Sequence, residues 1–316
     1  MPISPVPPAA AEAVFQPRLY EGRVVFITGG GSGLGLHIGM GFAKMGAKVA
    51  ICGRKEPKLI GALEEIAAAA SSAGAAADLL HVPCDVRDMA QCEAAIAKVE
   101  AKWGRLDVLV NGAAGNFMSL AEDLTANAFS TVIDIDLKGT FNMSRAAFDL
   151  LRATGPGTVI INLTHPRAHQ AVAFQAHAIS AKAGIDRLTD VLGLEWAEYG
   201  IRVVGIAPGP VSGTEGGPTG RVFGGAKKEK TEAEAAQAQK REQTRLLSTC
   251  PIGRYGERDD VTNAALFFAS PAASWCTACT VPIDGGYRNA DGGWFMMKPA
   301  IKAMQAMQKK PKQSKL

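Results

Sequence analysis

A glycine-rich segment near the N-terminus most constrains the fold of this chain. From Val24 to Gly35 the sequence is V-V-F-I-T-G-G-G-S-G-L-G. Its apolar first part is typical of a buried strand, and the apolar periodicity from Leu36 to Met45 predicts that a helix follows. Between them, Gly29 allows a sharp turn, and Gly33 and Gly35 let a phosphate and the helix approach the backbone closely. This order predicts a dinucleotide site, with the pyrophosphate at the helix N-terminus.

Strands and helices alternate along the rest of the chain. Apolar runs bounded by turn residues predict strands at Val24–Thr28, Lys48–Cys52, Leu79–Cys84, Val108–Asn111, Thr158–Leu163, Arg202–Ala207 and Thr280–Ile283. Helical periodicity fills the intervals, at Leu36–Met45, Pro57–Ala73, Met89–Trp103, Leu124–Leu151, Gln175–Tyr199 and Asp259–Phe268. The alternation predicts a single Rossmann-type, doubly wound α/β domain, with a seven-stranded parallel sheet flanked by helices. Ligands of such sheets bind at the C-terminal ends of the strands.

The predicted domain covers residues 21–295, and three segments differ from it in composition. Residues 1–20 are rich in proline and alanine and lack the basic start of a secretory signal, so we expect them to be disordered. Residues 219–247 are glycine-rich and then highly charged, which predicts a solvated surface helix, a mobile lid over the substrate, or both. Residues 296–316 form a basic C-terminal tail.

The C-terminal tail carries the positive charge of the chain and a targeting sequence. It holds six lysines and no acidic residue, and the remaining chain has 28 basic and 30 acidic residues. Net charge therefore does not indicate a nucleic-acid groove, and no apolar run reaches the roughly 18 residues of a membrane span. The last three residues, Ser314-Lys315-Leu316, match the signal that a peroxisomal import receptor reads. We therefore expect import into the peroxisome or a related organelle.

The residues at the end of the second predicted strand indicate which dinucleotide is bound. An enzyme that uses NAD usually places a carboxylate there to bind the ribose 2′-hydroxyl. Here Gly53, Arg54 and Lys55 occupy these positions. A guanidinium would bind a 2′-phosphate through paired hydrogen bonds, whereas a carboxylate would repel it. We therefore expect NADPH, rather than NADH, as the cofactor.

The spacing T-G-x-x-x-G-x-G in the glycine-rich segment resembles the short-chain dehydrogenase/reductase family, and the resemblance extends over residues 22–287. It implies that Asp85-Val86 contacts the adenine. It also implies that the turn from Asn111 lines the adenine and the nicotinamide ribose, and that Pro208-Gly209-Pro210-Val211 faces the nicotinamide. The expected cofactor-binding residues are Thr28, Gly29, Gly30, Ser32, Gly33, Leu34, Gly35, Arg54, Asp85, Val86, Asn111, Ala113, Lys182, Pro208, Gly209, Val211 and Thr214.

The catalytic pattern of that family is only partly present. Its Tyr-x-x-x-Lys motif matches Lys182, but Ala178 stands at the tyrosine position. The usual serine and asparagine are replaced by His165 and Asp136. Carbonyl reduction needs a phenol that donates a proton to the forming alkoxide, so ketone reduction is not expected. Two hypotheses remain, which are a cofactor-binding protein without activity and an enzyme with a different electron acceptor.

A conjugated thioester is such an acceptor. Hydride addition at the far end of a 2,4-dienoyl thioester gives a dienolate, whose charge is stabilised by hydrogen-bond donors at the thioester oxygen. A water oriented by a carboxylate can then deliver a proton to carbon. Four segments resemble the 2,4-dienoyl-CoA reductase branch of the family, in its peroxisomal form, and these are Asn111–Phe117, Asp134–Asn142, His177–Ala183 and Ala207–Gly216.

This resemblance implies roles for individual residues. Asp136 and Asp284 would orient the proton-donating water, and Lys182 would hold the nicotinamide ribose hydroxyls. Simpler interpretations are that Asp284 caps a turn and that Asp136 is only a buried partner of Lys182. No metal is expected, because the histidines lack accompanying carboxylates. The expected substrate residues are Arg54 and Arg87 near the phosphates or adenine, Asn116 as a candidate oxyanion donor, and Phe117 in the acyl channel.

With this resemblance, the sequence implies an NADPH-dependent 2,4-dienoyl-CoA reductase of the peroxisome. Its reaction would give trans-3-enoyl-CoA in the β-oxidation of polyunsaturated fatty acids. One alternative is a trans-2-enoyl-CoA reductase or another acyl-CoA reductase of the same family. A second alternative is a catalytically silent NADPH-binding protein. The family also implies a homo-oligomer, namely a tetramer.

Overall fold

A parallel sheet of seven strands forms the centre of the part of the chain that the computed structural model describes, which is residues 15–214 and 249–290 with positions 246, 297, 301 and 304. The strands are β1 (Val24–Thr28), β2 (Lys48–Gly53), β3 (Leu79–Pro83), β4 (Val108–Asn111), β5 (Thr158–Leu163), β6 (Ile201–Pro208) and β7 (Cys279–Ile283). Their order is β3-β2-β1-β4-β5-β6-β7, and each neighbouring pair is parallel. This confirms the predicted Rossmann-type sheet.

Helices cover both faces of this sheet. They are α1 (Gly33–Lys44), α2 (Glu56–Ser72), α3 (Met89–Trp103), α4 (Ala126–Ile133), α5 (Gly139–Thr154), α6 (Ala176–Glu195) and α7 (Arg258–Ala269). In β1, Val25 and Ile27 pack with α1, α2 and α7, whereas Val24 and Phe26 pack with α3 and α5. Because successive side chains of a strand point to opposite faces, burial of both faces requires a strand that is apolar throughout.

The long helix predicted over Leu124–Leu151 is interrupted at its centre. Helix α4 ends at Ile133, and Asp134–Lys138 form a π-helical turn before α5 begins. The hydroxyl of Thr140 donates a hydrogen bond to the carbonyl of Asp136 at 2.6 Å. Such π-turns are rare and frequently lie at functional sites. The turn leaves the side chain of Asp136 fully buried.

The ordered domain begins earlier than residue 21. Residues 15–20, which the sequence assigned to a disordered segment, include turns that pack on the core. Tyr20 is only 2% exposed, its ring centroid lies 4.9 Å from that of Phe42, and its hydroxyl donates to the carbonyl of Leu266. The core on the α1, α2 and α7 side of the sheet therefore includes residues from the segment before β1.

Three predicted segments fall partly or wholly outside the described residues. These are residues 1–14, the lid proposed for residues 219–247 apart from residue 246, and most of the tail at 296–316, including its last three residues. Among the helices that the structure describes, none combines the length and the apolar character that crossing a membrane requires.

Candidate active site

A cavity of about 920 Å³ opens at the C-terminal edge of the sheet. Its wall is built from the segments that follow β1 to β7, which is where doubly wound sheets bind ligands. The volume lies within the range of about 300–1,000 Å³ that is common for ligand sites. Most of the predicted site residues line it, namely Gly29, Ser32, Gly33, Leu34, Gly35, Arg54, Asp85, Val86, Ala113, Asn116, Lys182, Pro208, Gly209, Val211 and Thr214.

The glycine turn after β1 is tightly packed on one side and open on the other. A Cβ added to Gly29 would lie 2.8 Å from the carbonyl oxygen of Gly112, and one added to Gly35 would lie 2.7 Å from that of Gly29. At Gly33, φ is +57° and nothing lies within 4 Å of the added Cβ, so this backbone borders open space. The side chain of Ser32, the N-cap residue of α1, makes no capping hydrogen bond. The first N–H groups of α1 can therefore bind a phosphate.

Two of the predicted cofactor-binding residues hold the turn in place instead of lining the cavity. A Cβ at Gly30 would lie 2.6 Å from the side chain of Ile51, so this glycine is needed for packing on β2. Thr28 is 1% exposed, and its hydroxyl oxygen accepts the N–H groups of Gly112 at 3.0 Å and Ala113 at 3.1 Å. Both residues therefore act through the backbone that they position.

Asn111 also differs from its predicted role. Its side chain is 4% exposed, and its amide donates to Oγ of Ser144 and to Oδ1 of Asn162, both at 2.9 Å. The following residues, 112–114, line the cavity, and the contact of Asn111 with the cofactor stays a prediction. Asn111 therefore fixes the end of β4 against β5 and α5.

The far end of the cavity, after β2 and β3, is rich in charge. Arg54, Lys55 and Lys58 line it together with Asp85. Arg87 does not line the cavity but donates to both oxygens of Asp85, with N–O distances between 2.5 and 3.0 Å. This pairing with Arg87 holds the pKa of Asp85 below its ordinary value, although burial opposes the shift. Arg87 thus acts on the site by orienting Asp85.

A buried ion pair lies at the opposite end of the cavity, after β4 and β5. Asp136 is 0% exposed, and its Oδ1 accepts the N–H of Gly115 at 2.7 Å. Its Oδ2 lies 3.3 Å from Nζ of Lys182, which donates to the carbonyl of Leu163 at 3.0 Å. Among the described residues, no group makes a well-aligned hydrogen bond to this Oδ2. Lys182 lines the cavity, so the carboxylate lies directly behind the lysine with one oxygen able to accept a further proton donor.

Asp284 lies at the end of β7, and its side chain caps the turn that follows. One carboxylate oxygen accepts the N–H of Gly286 at 2.9 Å, and the other accepts that of Arg288 at 2.8 Å. Asp284 does not line the cavity, but its backbone packs against Gly209, which does. The simpler of the two interpretations from sequence therefore describes its observed contacts, and its role beside Asp136 stays a prediction.

The two predicted substrate residues after β4 occupy different places. Asn116 lines the cavity, and its side-chain amide donates to Oε1 of Gln175 at 3.1 Å. Phe117 is 38% exposed, does not line the cavity, and stacks on the buried ring of His177 with centroids 4.2 Å apart. His177 is therefore a packing residue at the start of α6, and the acyl-channel role of Phe117 stays a prediction.

Several polar residues of the cavity wall were not predicted from the sequence. They are Thr164, His165, Gln175, Tyr255 and Tyr287. The only local signal was that His165 and Thr164 lie where the related family has its serine. Tyr287 reaches the cavity because Arg167 donates to its carbonyl at 2.9 Å and places a guanidinium 4.0 Å from its ring centroid. Among the described residues, no cluster of three His, Cys, Asp or Glu side chains could hold a metal ion.

The fold and the site together define a class of protein. A doubly wound parallel sheet, a glycine turn that leads into a helix N-terminus, and a helical lysine that reaches the end of a strand are the parts of a dinucleotide-dependent oxidoreductase. A family model described as Enoyl-(Acyl carrier protein) reductase matches residues 29–288. A short chain dehydrogenase of known structure from Bacillus anthracis is 34% identical, with a TM-score of 0.70 over 84% of this chain and 97% of that one. The chain belongs to the short-chain dehydrogenase/reductase family, whose members use a nicotinamide cofactor.

Curated relatives of similar length narrow the comparison. The chain is 37% identical over 273 residues to the peroxisomal 2,4-dienoyl-CoA reductase, (3E)-enoyl-CoA-producing, of Pongo abelii, covering 86% of each chain. The protein of the same name from Arabidopsis thaliana is 37% identical over 283 residues, covering 87% of each chain. A peroxisomal 2,4-dienoyl-CoA reductase of Saccharomyces cerevisiae is 34% identical over 275 residues.

Proposed function

We propose that this chain is an NADPH-dependent 2,4-dienoyl-CoA reductase of the peroxisome. It converts 2,4-dienoyl-CoA to trans-3-enoyl-CoA in the β-oxidation of polyunsaturated fatty acids. The observation that carries the proposal is the buried Asp136 behind Lys182 at the cavity, combined with Ala178 in place of a proton-donating tyrosine. The names of the curated relatives support the same activity and the same organelle, as does the terminal Ser314-Lys315-Leu316.

The residues of the cavity fit NADPH. The N–H groups at the start of α1 would bind the pyrophosphate, and Arg54 with Lys55 and Lys58 would bind the 2′-phosphate. Asp85, held by Arg87, would accept a hydrogen bond from the adenine amino group. Lys182 would donate to the hydroxyls of the nicotinamide ribose. The bound cofactor supplies the hydride, so the protein must only orient the acceptor and manage charge and protons.

The alanine at position 178 favours a conjugated thioester over a ketone as the hydride acceptor. Ala178 is 4% exposed and lies one helical turn before Lys182, so no phenol stands there to protonate an alkoxide. A dienolate spreads its charge over several atoms and is protonated at carbon. Such an intermediate requires a hydrogen-bond donor at the thioester oxygen and a separate proton source.

Asp136 is the residue best placed to organise that proton source. Its Oδ2 is buried and has no well-aligned hydrogen-bond donor among the described residues, so this oxygen keeps acceptor capacity for the O–H of a water. The ammonium of Lys182 lies 3.3 Å from this oxygen. Asp284 is the proposed second carboxylate, and each of its oxygens keeps one acceptor position beyond the N–H bond of the turn.

Association of several copies accords with the surface of the described residues. Trp275 is 98% exposed and Leu194 is 77% exposed, and Val191 and Phe267 are also exposed. Large exposed apolar side chains of this kind are candidates for burial at an interface between copies. We infer a homo-oligomer, and specifically a tetramer, which analytical ultracentrifugation would test.

The deciding experiment is NADPH oxidation by the purified protein with three acceptors: a 2,4-dienoyl-CoA, a 2-enoyl-CoA and a 3-ketoacyl-CoA. We expect turnover on the diene alone, with a trans-3-enoyl-CoA as product. Turnover on the 2-enoyl-CoA would favour the alternative acyl-CoA reductase, and turnover on the ketone would contradict the argument from Ala178. Cofactor binding without turnover on any of the three would favour the silent NADPH-binding protein.

A further inference from the structure

His165 lines the cavity at the end where Lys182 lies. It is the second residue after β5, which lies between β4 and β6 in the sheet, and it lines the cavity beside Lys182. The carbonyl oxygen of Leu163, two residues earlier, accepts a hydrogen bond from Nζ of Lys182 at 3.0 Å. The imidazole is therefore placed next to the lysine that would hold the nicotinamide ribose.

Local hydrogen bonding fixes which nitrogen of this imidazole carries a proton. The backbone N–H of Arg167 donates to Nδ1 of His165 at 3.1 Å. Nδ1 is then an acceptor, so in the neutral ring the proton lies on Nε2. Arg167 is itself anchored, because its guanidinium donates to the carbonyls of Tyr287 at 2.9 Å and Ala290 at 3.0 Å. The ring is thereby held as an Nε2–H donor.

The surroundings also keep this ring uncharged. Burial lowers the pKa of His165 from its ordinary value of 6.5 to about 4, and the positive charges of Lys182 and Arg167 contribute to the shift. His165 is therefore a neutral hydrogen-bond donor at physiological pH. It cannot serve as a proton source, because a ring with this pKa is not protonated there.

Most other donors at this end of the cavity are already engaged. The hydroxyls of Thr164 and Thr214 donate to the carbonyls of Lys182 and Val211, at 3.2 and 3.0 Å. Asn116, the donor expected from sequence, uses one N–H of its side-chain amide to bind Oε1 of Gln175 at 3.1 Å. Nε2 of His165 has no protein partner among the described residues, and the hydroxyl of Tyr287 is the competing donor to be tested.

We infer that Nε2–H of His165 donates the hydrogen bond to the thioester oxygen of the bound acyl-CoA. The inference rests on the proposed function, since it assigns a donor to the oxygen where the dienolate charge accumulates. A neutral donor suits this task because it stabilises the developing negative charge without transferring a proton to oxygen, so that protonation takes place at carbon. His165 thereby takes over the task that Asn116 was predicted to perform.

A binding experiment tests this without relying on turnover. The protein saturated with NADP⁺ is titrated with hexanoyl-CoA, which has the thioester oxygen, and with S-hexyl-CoA, a thioether that lacks it. We expect wild type to prefer the thioester by about tenfold, the value of one net hydrogen bond. His165→Ala should reduce this preference to within twofold, and His165→Asn, which keeps an N–H donor, should restore part of it.

Matched variants identify the donor. His169→Ala removes an exposed histidine of the same loop, and Tyr287→Phe removes the competing hydroxyl. Both should keep the preference of wild type for the thioester. Loss of the preference in Tyr287→Phe, or its retention in His165→Ala, would overturn the inference. If His165→Ala does not fold, ¹⁵N spectra of the wild-type histidine rings serve instead, and an Nε2–H signal that does not move on addition of hexanoyl-CoA would equally overturn it.

Kinetics separate this inference from the proposed function. In His165→Ala we expect kcat on the diene to fall by about 10²-fold, as for loss of an oxyanion donor, with unchanged NADPH affinity. If wild type reduces the diene but His165→Ala keeps both kcat and the thioester preference, the function stands and the inference fails. If wild type reduces no diene but shows a thioester preference that depends on His165, the inference stands and the function fails.

Discussion

Nζ of Lys182 lies 3.3 Å from Oδ2 of Asp136, and the carboxylate is completely buried while the lysine lines the cavity. The pair connects the π-turn between α4 and α5 with helix α6. A buried ion pair contributes little net stability, but removing one partner leaves an uncompensated charge. The pair therefore supports the position of the lysine and leaves one carboxylate oxygen for a proton-carrying water.

Asp136→Asn should separate these two tasks. The amide keeps an oxygen for the N–H of Gly115, so the fold should persist, with a loss of up to about 3–5 kcal/mol because the charge of Lys182 is no longer paired. We expect kcat on the diene to fall by about 10²–10⁴-fold, as for loss of a general acid–base group. Turnover within a few-fold of wild type in a folded Asp136→Asn would show that the aspartate is only structural.

Arg54 should determine the preference for NADPH. It lines the cavity after β2, where its guanidinium would pair with the 2′-phosphate. Arg54→Asp should weaken NADPH binding by about 2 kcal/mol or more, with little loss for NADH. Arg18→Asp, in a surface arginine that is 64% exposed, controls for the change in net charge. Equal losses for both cofactors in a fluorescence titration would mean that Arg54 does not bind the 2′-phosphate.

Asp284 allows the cap and the proton-transfer role to be distinguished. Asp284→Ala removes both acceptors of the turn and should lower the free energy of unfolding by about 1–2 kcal/mol, as for loss of a cap. Asp284→Asn keeps one acceptor and should cost less stability, yet we expect it to lower kcat on the diene by more than about tenfold. Full activity in Asp284→Asn would assign the residue to the cap alone.

The buried His165 should make the fold sensitive to acid. Its pKa is lowered from 6.5 to about 4 in the folded chain, so between these values the unfolded state binds a proton that the folded state does not. Stability from this residue is therefore present above pH 6.5 and is lost as pH falls toward about 4. We expect a loss of about 2 kcal/mol between pH 7 and pH 5.

His165→Gln is the variant that checks this pH dependence. It has no titrating ring, so its unfolding free energy in urea should fall less between pH 7 and pH 5 than that of wild type. The control is His81→Gln, because His81 lies on β3 away from the cavity wall. An identical pH dependence in wild type and His165→Gln would contradict the assignment.

The strands, the glycine turn and the missing tyrosine could be read from the chain alone. Each depends on neighbouring residues: apolar runs such as Val24–Thr28 predict strands that are buried on both faces, and the substitution at Ala178 is visible without a structure. The same local patterns placed Arg54 and Lys182 on the cavity wall, where the structure has them. Fold class and family were therefore accessible from sequence.

Other features were decided only by tertiary contacts. The π-turn at Asp134–Lys138 has the same apolar periodicity as a continuous helix, so its presence depends on packing against α6 and the N–H of Gly115. Thr28 is turned inward because the loop after β4 supplies two N–H donors.

His165 becomes a fixed donor only through Arg167 and the loop after β7, which lies far away in the sequence. Sequence determines which groups are present and which local conformations they favour. The direction in which a polar side chain points is decided by the partners that the fold brings to it, because a buried donor or acceptor must find one.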